Sequence, residues 1–127
     1  MELIDLEAAI KPSWGKDTCY PPAVHLWTPE KPEIGQCAVT SLVVQDYLGG
    51  EILYDQEHNH YWNRLPNGAE VDLTRGQFPD GTVITMDEVR SRQDIFNRDS
   101  AIQANTPGRY ELLKSRVEQI LQSQAPT

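Results

Sequence analysis

Basic side chains are scarce in this sequence. Its 127 residues contain 11 lysines and arginines against 19 aspartates and glutamates, so the formal net charge is -8 at pH 7. An acidic body of this kind repels phosphate backbones and anionic lipid surfaces. We therefore expect neither nucleic acid nor a membrane surface as a partner.

Long apolar runs are missing as well. No segment approaches the roughly 20 apolar residues that cross a bilayer. The acidic stretch MELIDLEAAIKPSW also lacks the apolar core of a signal peptide. We therefore expect a cytoplasmic protein whose two cysteines, Cys19 and Cys37, are free thiols in a reducing compartment. Neither a phosphate-binding loop nor a dinucleotide fingerprint occurs, and we expect no cofactor.

The length suits a single domain over residues 1–127. A short helix is predicted over residues 2–10, followed by an irregular wrap over residues 11–34 that is rich in prolines and aromatics. Residues 36–48 form a helix that is apolar around most of its circumference, which is typical of a helix at the centre of a fold. Gly49-Gly50 ends that helix.

The second half of the chain predicts a small antiparallel sheet and two further helices. Strand-like runs occur within about 51–73, at residues 51–55, 60–65 and 69–73, and residues 81–85 are a candidate fourth strand. A capping box at Thr85–Glu88 predicts a helix over about 86–96, and Thr106-Pro107 predicts a last helix over about 107–123. The fold class is therefore α+β, with the cysteine-bearing helix packed centrally on the sheet.

Cys37 stands where the apolar helix begins, a position at which packing does not require a cysteine. Acyl transfer needs a thiolate, but a free cysteine is only a few per cent ionised at pH 7. The helix N-terminus adds roughly half a positive charge and unpaired N–H groups, which could also form part of an oxyanion hole. A neighbouring imidazolium would add a full positive charge.

His60 and Asp72 are the candidates for that imidazolium and its acceptor. His60 begins one strand and Asp72 lies on the next, so the connecting turn decides whether they meet. A three-residue turn at Pro66-Asn67-Gly68 would place Trp62 opposite Asp72 and leave His60 diagonal to Asp72 on the same face. A two-residue turn would move Asp72 to the other face. A Cys-His-Asp triad therefore requires the three-residue turn.

Two segments carry a resemblance to known families. GQCAVTSLVVQDYLGGEIL and HYWNRLPNGAEVDLTRGQF resemble the small bacterial YunG-like proteins, over roughly residues 13–80. The order of cysteine, histidine and aspartate is similar to that of papain-like and transglutaminase-like cysteine enzymes. The resemblance implies a compact papain-like fold with Cys37, His60 and Asp72 at the triad positions.

The residue that would complete an oxyanion hole is not evident from the sequence. A papain-type glutamine six residues before the nucleophile is absent, because Lys31 occupies that position. Gln36, Trp14 and Trp27 are the candidate donors. We expect Trp62 to pack beside the site as a support.

Several other interpretations of these residues are open. Cys37 could be a buried structural thiol, since free cysteine is among the most buried residue types. It could form a disulfide with Cys19, or it could bind zinc, although the spacings of cysteine and histidine match no zinc pattern and we expect no metal. Glu70 shares a face with Asp72 and is a second possible partner for His60, and His58 is expected to be an exposed turn residue.

Two functions of different classes are consistent with these residues. The first is a cysteine-dependent acyl-transfer enzyme, in which Cys37 attacks, His60 acts as base and then acid, and Asp72 holds the imidazole ring. Its substrate would be a peptide, a protein or a small amide, and it would act as a peptidase, amidase, deamidase or transglutaminase-like transferase. The second is a non-catalytic binding module that keeps the scaffold.

Overall fold

The computed structural model describes residues 1–124, and these form an α+β fold with a four-stranded antiparallel sheet. The helices are α1 (Leu3–Ile10), α2 (Cys37–Leu48), α3 (Arg92–Asn97), α4 (Asp99–Gln103) and α5 (Thr106–Ser123). The strands are β1 (Glu51–Asp55), β2 (His60–Arg64), β3 (Glu70–Val71) and β4 (Glu88–Arg90). Residues 125–127, which the single-domain prediction included, lie outside the described part of the chain.

Helix α2 occupies the centre of the fold, as its apolar circumference predicts. It packs against α1 and α5 on one side and against β1 and β2 on the other. Its Val39, Leu42, Val43 and Val44 are fully buried and belong to the main core. Burial of each such side chain stabilises the fold by roughly 1.5–3 kcal/mol. Gly49, at a φ of +73°, ends the helix in a conformation that favours glycine.

The sheet has the strand order β3-β2-β1-β4, and all of its neighbours are antiparallel. One face contacts α2, where the Asn63 amide donates to the Ser41 carbonyl at 3.0 Å. Side chains alternate along β2, so His60 and Trp62 lie on the opposite face. Both side chains are nevertheless buried.

The turn between β2 and β3 has the predicted three residues. Leu65 N–H donates to the Ala69 carbonyl at 2.8 Å, and Gly68, at a φ of +89°, donates to the Leu65 carbonyl at 2.9 Å. Asn63 pairs with Val71 and Arg64 with Glu70. The register is therefore the one that places Asp72 diagonal to His60, although β3 itself ends one residue before Asp72.

The predicted helix over residues 86–96 is wrong in its first half. Residues 88–90 form β4, in which Val89 pairs with Leu53 of β1. Helix α3 begins only at Arg92, and the Ser91 hydroxyl caps it by accepting from the Asp94 N–H at 3.1 Å. The exposed edge of β1 offers hydrogen bonds that a local capping box cannot match, so tertiary pairing overrides the local signal.

The candidate strand at residues 81–85 is not present. This segment contains a turn, in which Thr82 N–H donates to the Pro79 carbonyl at 3.2 Å. Thr85 N–H then donates to the Asp55 carboxylate at 2.7 Å. A side chain of β1, rather than a neighbouring strand, therefore holds this part of the backbone.

The wrap over residues 11–34 contains three short 3-10 helices, at Lys11–Ser13, Lys16–Thr18 and Pro21–Leu26. Regular hydrogen bonding is interrupted by prolines, as the composition predicts. Within residues 1–124, no helix is long and apolar enough to cross a bilayer.

Candidate active site

Cys37 is the first residue of α2 and borders a cavity of about 340 Å³. Its side chain is half-buried, and Sγ lies 3.9 Å from the Asn59 carbonyl oxygen. The N–H of a first helical residue has no acceptor within its own helix. The thiol therefore stands at the positive end of a twelve-residue helix, beside an available backbone donor.

His60 and Asp72 meet across the β2–β3 hairpin. The distance between His60 Nε2 and Asp72 Oδ2 is 2.7 Å. The other carboxylate oxygen, Oδ1, accepts from the Thr74 N–H at 3.3 Å and from its hydroxyl at 3.4 Å. The carboxylate is therefore held by the residues that follow it, and it faces the imidazole from a fixed position.

Two aromatic rings hold the imidazole in place. Trp62 is nearly parallel to the His60 ring, at 12° and a centroid distance of 5.8 Å. Phe78 meets the same ring edge-on, at 4.8 Å. Trp62 therefore supports the site by packing, as the sequence predicts, and His60 has no exposed surface.

The protonated form of His60 is favoured in the folded protein. Burial alone would lower the pKa of His60, but the hydrogen bond with Asp72 and the interaction with the Cys37 side chain outweigh it and raise this pKa to about 9. Because Nε2 is engaged by Asp72, Nδ1 is the nitrogen that can bond to Cys37, and the Gln77 side chain lies beside it at 3.4 Å. The ring therefore carries its charge at neutral pH and can hold it next to the sulfur.

Asn59 shapes the chain between Cys37 and His60. It adopts a left-handed conformation, with a φ of +48°, which asparagine tolerates better than most residues. The Tyr54 hydroxyl donates to its side-chain oxygen at 2.8 Å. This bond fixes the turn that directs the Asn59 carbonyl towards Cys37 and places His60 at the start of β2.

Gln77, which was not among the residues predicted from the sequence, also lies at the site. Its Nε2 lies 3.4 Å from His60 Nδ1 and 3.3 Å from the Thr74 hydroxyl. Its Oε1 accepts from the Gly35 N–H at 3.4 Å, and the residue borders the same cavity as Cys37. No spacing in the sequence could indicate Gln77, because these contacts join segments that are far apart along the chain.

The three predicted oxyanion donors are engaged elsewhere. The Trp14 indole donates to the Thr40 hydroxyl, the Trp27 indole to the Pro32 carbonyl, and the Gln36 amide to the Gly15 carbonyl, all at 2.9–3.0 Å. Gln36 is fully buried and also accepts from the Thr18 hydroxyl at 2.8 Å. The structure therefore does not support an oxyanion role for these side chains. They connect the wrap to α2 or stabilise the wrap itself.

The other possible partners of the cysteine and the histidine are placed differently. Glu70 accepts from the Trp62 indole at 2.7 Å instead of meeting His60. Cys19 is buried and, like Cys37, is a free thiol, so the two do not form a disulfide. Over residues 1–124 there is no group of three or more potential metal ligands.

His58 is not the exposed turn residue that the sequence predicts. Its ring nitrogen lies 3.2 Å from the Asp55 carboxylate, and the side chain is only partly exposed. The same carboxylate accepts from the His58 N–H at 2.9 Å, which closes the turn between β1 and β2. His58 therefore borders the cavity as part of a structural pair with Asp55.

Comparison with known proteins gives a family but no fold template. The family model described as YunG protein matches residues 2–122. The "Uncharacterized protein YunG" of Bacillus subtilis (strain 168) is 39% identical over 71 residues, which cover 54% of this chain and 56% of that protein. The match thus spans about half the length of this curated relative, and no solved structure matches the chain. Because the family match extends over nearly all of the described residues, the chain belongs to the YunG protein family.

Proposed function

We propose that this protein is a cysteine-dependent acyl-transfer enzyme, built on a papain-like scaffold, with Cys37, His60 and Asp72 as its catalytic triad. The observation that carries the proposal is the pair formed by the buried His60 and the partly buried Asp72, joined at 2.7 Å, whose imidazole also interacts with Cys37 at a helix N-terminus. A hydrogen-bonded histidine beside a half-exposed thiol at a positive helix end is the arrangement that nucleophilic catalysis needs.

The chemical steps follow from these positions. The Cys37 thiolate attacks the carbonyl carbon of an amide, and an S–C bond forms while the carbonyl oxygen takes the negative charge. The C–N bond then breaks, and the proton on His60 Nδ1 goes to the leaving nitrogen. Water or an amine then attacks the thioester and gives a proton to the neutral imidazole. The S–C bond breaks, the acyl group leaves on the attacking oxygen or nitrogen, and the Cys37 thiolate is restored beside the protonated imidazole.

Two donors are available for the carbonyl oxygen during the attack. One is the N–H of Cys37, which lacks an acceptor within α2. The other is the side-chain amide of Gln77, which borders the cavity beside the imidazole. Preorganised donors of this kind contribute more than any other single factor in many acyl-transfer enzymes. Gln77 thus takes the role for which Gln36, Trp14 and Trp27 were the predicted candidates.

The cavity fits a small substrate segment. At about 340 Å³ it lies near the lower limit of ordinary ligand pockets, which favours a small amide or a short part of a peptide or protein over a bulky group. A reducing cytoplasm would keep Cys37 and Cys19 free for this chemistry.

A second candidate function is binding without catalysis. One observation favours it: His60 has no exposed surface. Gln77 and Phe78 contact its ring, so a proton that moves from His60 to a substrate would have to pass these two side chains. In that case the same polar cluster would only hold the hairpin against α2, and Cys37 would have no reason to be reactive.

Alkylation of Cys37 by iodoacetamide distinguishes the two functions. A free thiol loses about 100-fold of its rate between pH 8 and pH 6, since only the thiolate reacts. We expect the Cys37 rate to fall by less than about 10-fold over that range in the wild-type protein, and to fall like a free thiol in His60→Gln. Peptide mass spectrometry resolves the two cysteines. Because Cys19 is buried in the folded protein, its lack of labelling is the internal control for an intact fold.

The result that would end the enzyme proposal is a Cys37 rate with the same pH dependence in wild type and His60→Gln. A screen of p-nitroanilides and peptide amides then tests turnover directly. Activity should disappear in Cys37→Ala and remain in Cys19→Ala, because Cys19 does not border the cavity.

A further inference from the structure

In the part of the chain that the structure describes, the cavity beside Cys37 is lined by cationic groups and by no carboxylate. Arg98 and Arg109 are among its lining residues, whereas no aspartate or glutamate of residues 1–124 is. This contrasts with the chain as a whole, in which acidic residues outnumber basic ones by 19 to 11. The cavity is therefore a positive site within an acidic protein, and clefts of one sign concentrate ligands of the other.

Arg109 is the unusual member of this lining. Only 6% of its surface is exposed, and its three hydrogen bonds all go to neutral oxygens. Nε donates to the Ala104 carbonyl at 2.9 Å, Nη1 to the Thr18 carbonyl at 3.0 Å and Nη2 to the Thr106 hydroxyl at 3.1 Å. A guanidinium has five N–H donors, so two remain after these bonds.

Within the described residues, no carboxylate compensates this buried charge. The ion pairs formed within residues 1–124 do not include Arg109. Arg98 is different, because it is 45% exposed and bonds to the Asp94 carboxylate at 2.7 Å. An unpaired charge is costly to bury, and such a group is retained at little cost only where an anion reaches it.

Arg109 is also electrostatically linked to the nucleophile. Burial lowers the pKa of Arg109, and the negative charge of a Cys37 thiolate opposes that change. The Tyr20 ring, another part of the cavity wall, lies 5.9 Å from the guanidinium carbon. The Arg109 guanidinium and the Cys37 sulfur therefore border the same cavity and interact electrostatically with each other.

We propose that this cavity takes small substrates that carry a carboxylate, and that Arg109 binds this carboxylate while the amide carbon of the same molecule lies at Cys37. The acyl step rests on the function proposed above, whereas the anion site does not. Guanidinium and carboxylate are matched in shape and charge, and they can form two parallel hydrogen bonds. A cavity of about 340 Å³ has room for a monoamide of a short dicarboxylic acid or for an N-acyl amino acid.

Two alkylating reagents of nearly equal size test the anion site. Iodoacetate carries a carboxylate and iodoacetamide a neutral amide, and with either one the Cys37 sulfur forms a bond to carbon while iodide leaves. We expect the ratio of the iodoacetate rate to the iodoacetamide rate at Cys37 to exceed that of free cysteine by about 10-fold or more. In Arg109→Gln the ratio should fall by about 10-fold, and in the control Arg64→Gln, whose guanidinium pairs with Glu51 and does not border the cavity, it should stay unchanged.

His60→Gln separates the anion site from the imidazolium, which also attracts carboxylates. The proposal expects the elevated ratio to persist in this variant, even though both rates fall if the triad is correct. A ratio that drops to the free-cysteine value in His60→Gln and is unaffected by Arg109→Gln would overturn it. The pH dependence of iodoacetamide alkylation, compared between wild type and His60→Gln, reports on the triad alone. Failure of the triad and failure of the anion site therefore give different results.

Arg109 also connects α5 to the wrap, so Arg109→Gln requires a check of folding by circular dichroism. If that variant does not fold, protection of the wild-type protein decides the question. Butanoate should slow iodoacetamide alkylation of Cys37 at about 10-fold lower concentration than butanamide. Equal protection by the acid and the amide would overturn the proposal.

Discussion

The stability of this protein should depend on pH through His60. The pKa of this histidine rises from its ordinary value of 6.5 to about 9 in the folded state, since its bonds to Asp72 and Cys37 outweigh the effect of burial. In the pH range between these values the folded protein holds a proton that the unfolded chain releases. The contribution of His60 is therefore complete below pH 6.5 and is lost as the pH rises to about 9.

The size of this contribution follows from the pKa difference. At about 1.4 kcal/mol for each pKa unit, the rise in the pKa of His60 corresponds to about 3 kcal/mol of folding free energy. Because His60 is fully buried, screening by solvent reduces it little. An effect of this size is a large share of the roughly 5–15 kcal/mol by which domains are usually stable.

Urea unfolding, followed by tryptophan fluorescence at pH 6, 7, 8 and 9, measures the effect. The measurement uses the Cys37→Ser background, because in the wild-type protein a Cys37 thiolate would release a proton on folding and offset the one that His60 takes up. In Cys37→Ser the free energy of unfolding should fall by about 1–3 kcal/mol more across this range than in the Cys37→Ser, His60→Gln double variant, since Asp72 still raises the pKa of His60. Asp72→Asn in the same background should remove most of this pH dependence. Equal pH dependence in Cys37→Ser and the double variant would refute the reasoning.

Four further substitutions should alter the free energy of unfolding by amounts that the same assay measures. A Cβ at Gly50, where φ is +81°, would overlap the Arg64 carbonyl oxygen. Gly50→Ala should therefore cost about 3 kcal/mol, and Gly68→Ala, at a φ of +89° in open space, only about 1 kcal/mol; equal costs would contradict this. Gln36→Leu should cost about 1–2 kcal/mol, since it removes two hydrogen bonds while the Thr18 hydroxyl and the Gly15 carbonyl keep the 3.0 Å bond between them, and a loss within about 0.5 kcal/mol would show that these bonds contribute little. Ser91→Ala should cost about 1 kcal/mol through loss of the α3 cap, and a neutral result would assign no stability to that cap.

The hairpin between β2 and β3 shows how far local reasoning reaches. The sequence at residues 66–68 allows a turn of two or of three residues, and only the three-residue turn puts His60 and Asp72 on one face. The triad hypothesis therefore predicted the three-residue turn, which the structure contains. The central position of α2 could also be predicted, because an apolar circumference requires burial on all sides. In both cases, interactions between near neighbours in the chain limit the outcome.

β4 and Gln77 show where that reasoning ends. Thr85–Glu88 has the residues of a capping box, but Glu88–Arg90 pairs with the edge of β1 as a strand. No local sequence signal indicates that this edge of β1 is available. Gln77 is the last residue of a short 3-10 helix, Arg75–Gln77, and the partners of its side chain include Gly35, 42 residues earlier in the chain. Contacts over such separations leave no periodic trace in the sequence.

The amino-acid sequence by itself determined the α+β class and the position of Cys37 at the start of a central helix, and it limited the hairpin to two registers, one of which brings His60 to Asp72. Each of these depends on hydrophobic periodicity or turn chemistry, which act over a few residues. Tertiary structure alone decided which donors surround Cys37 and that Arg109 is buried without a carboxylate beside the same cavity. Those outcomes depend on the packing of α5, the wrap and the segment after Asp72 around one helix end, and such packing is set by the whole chain.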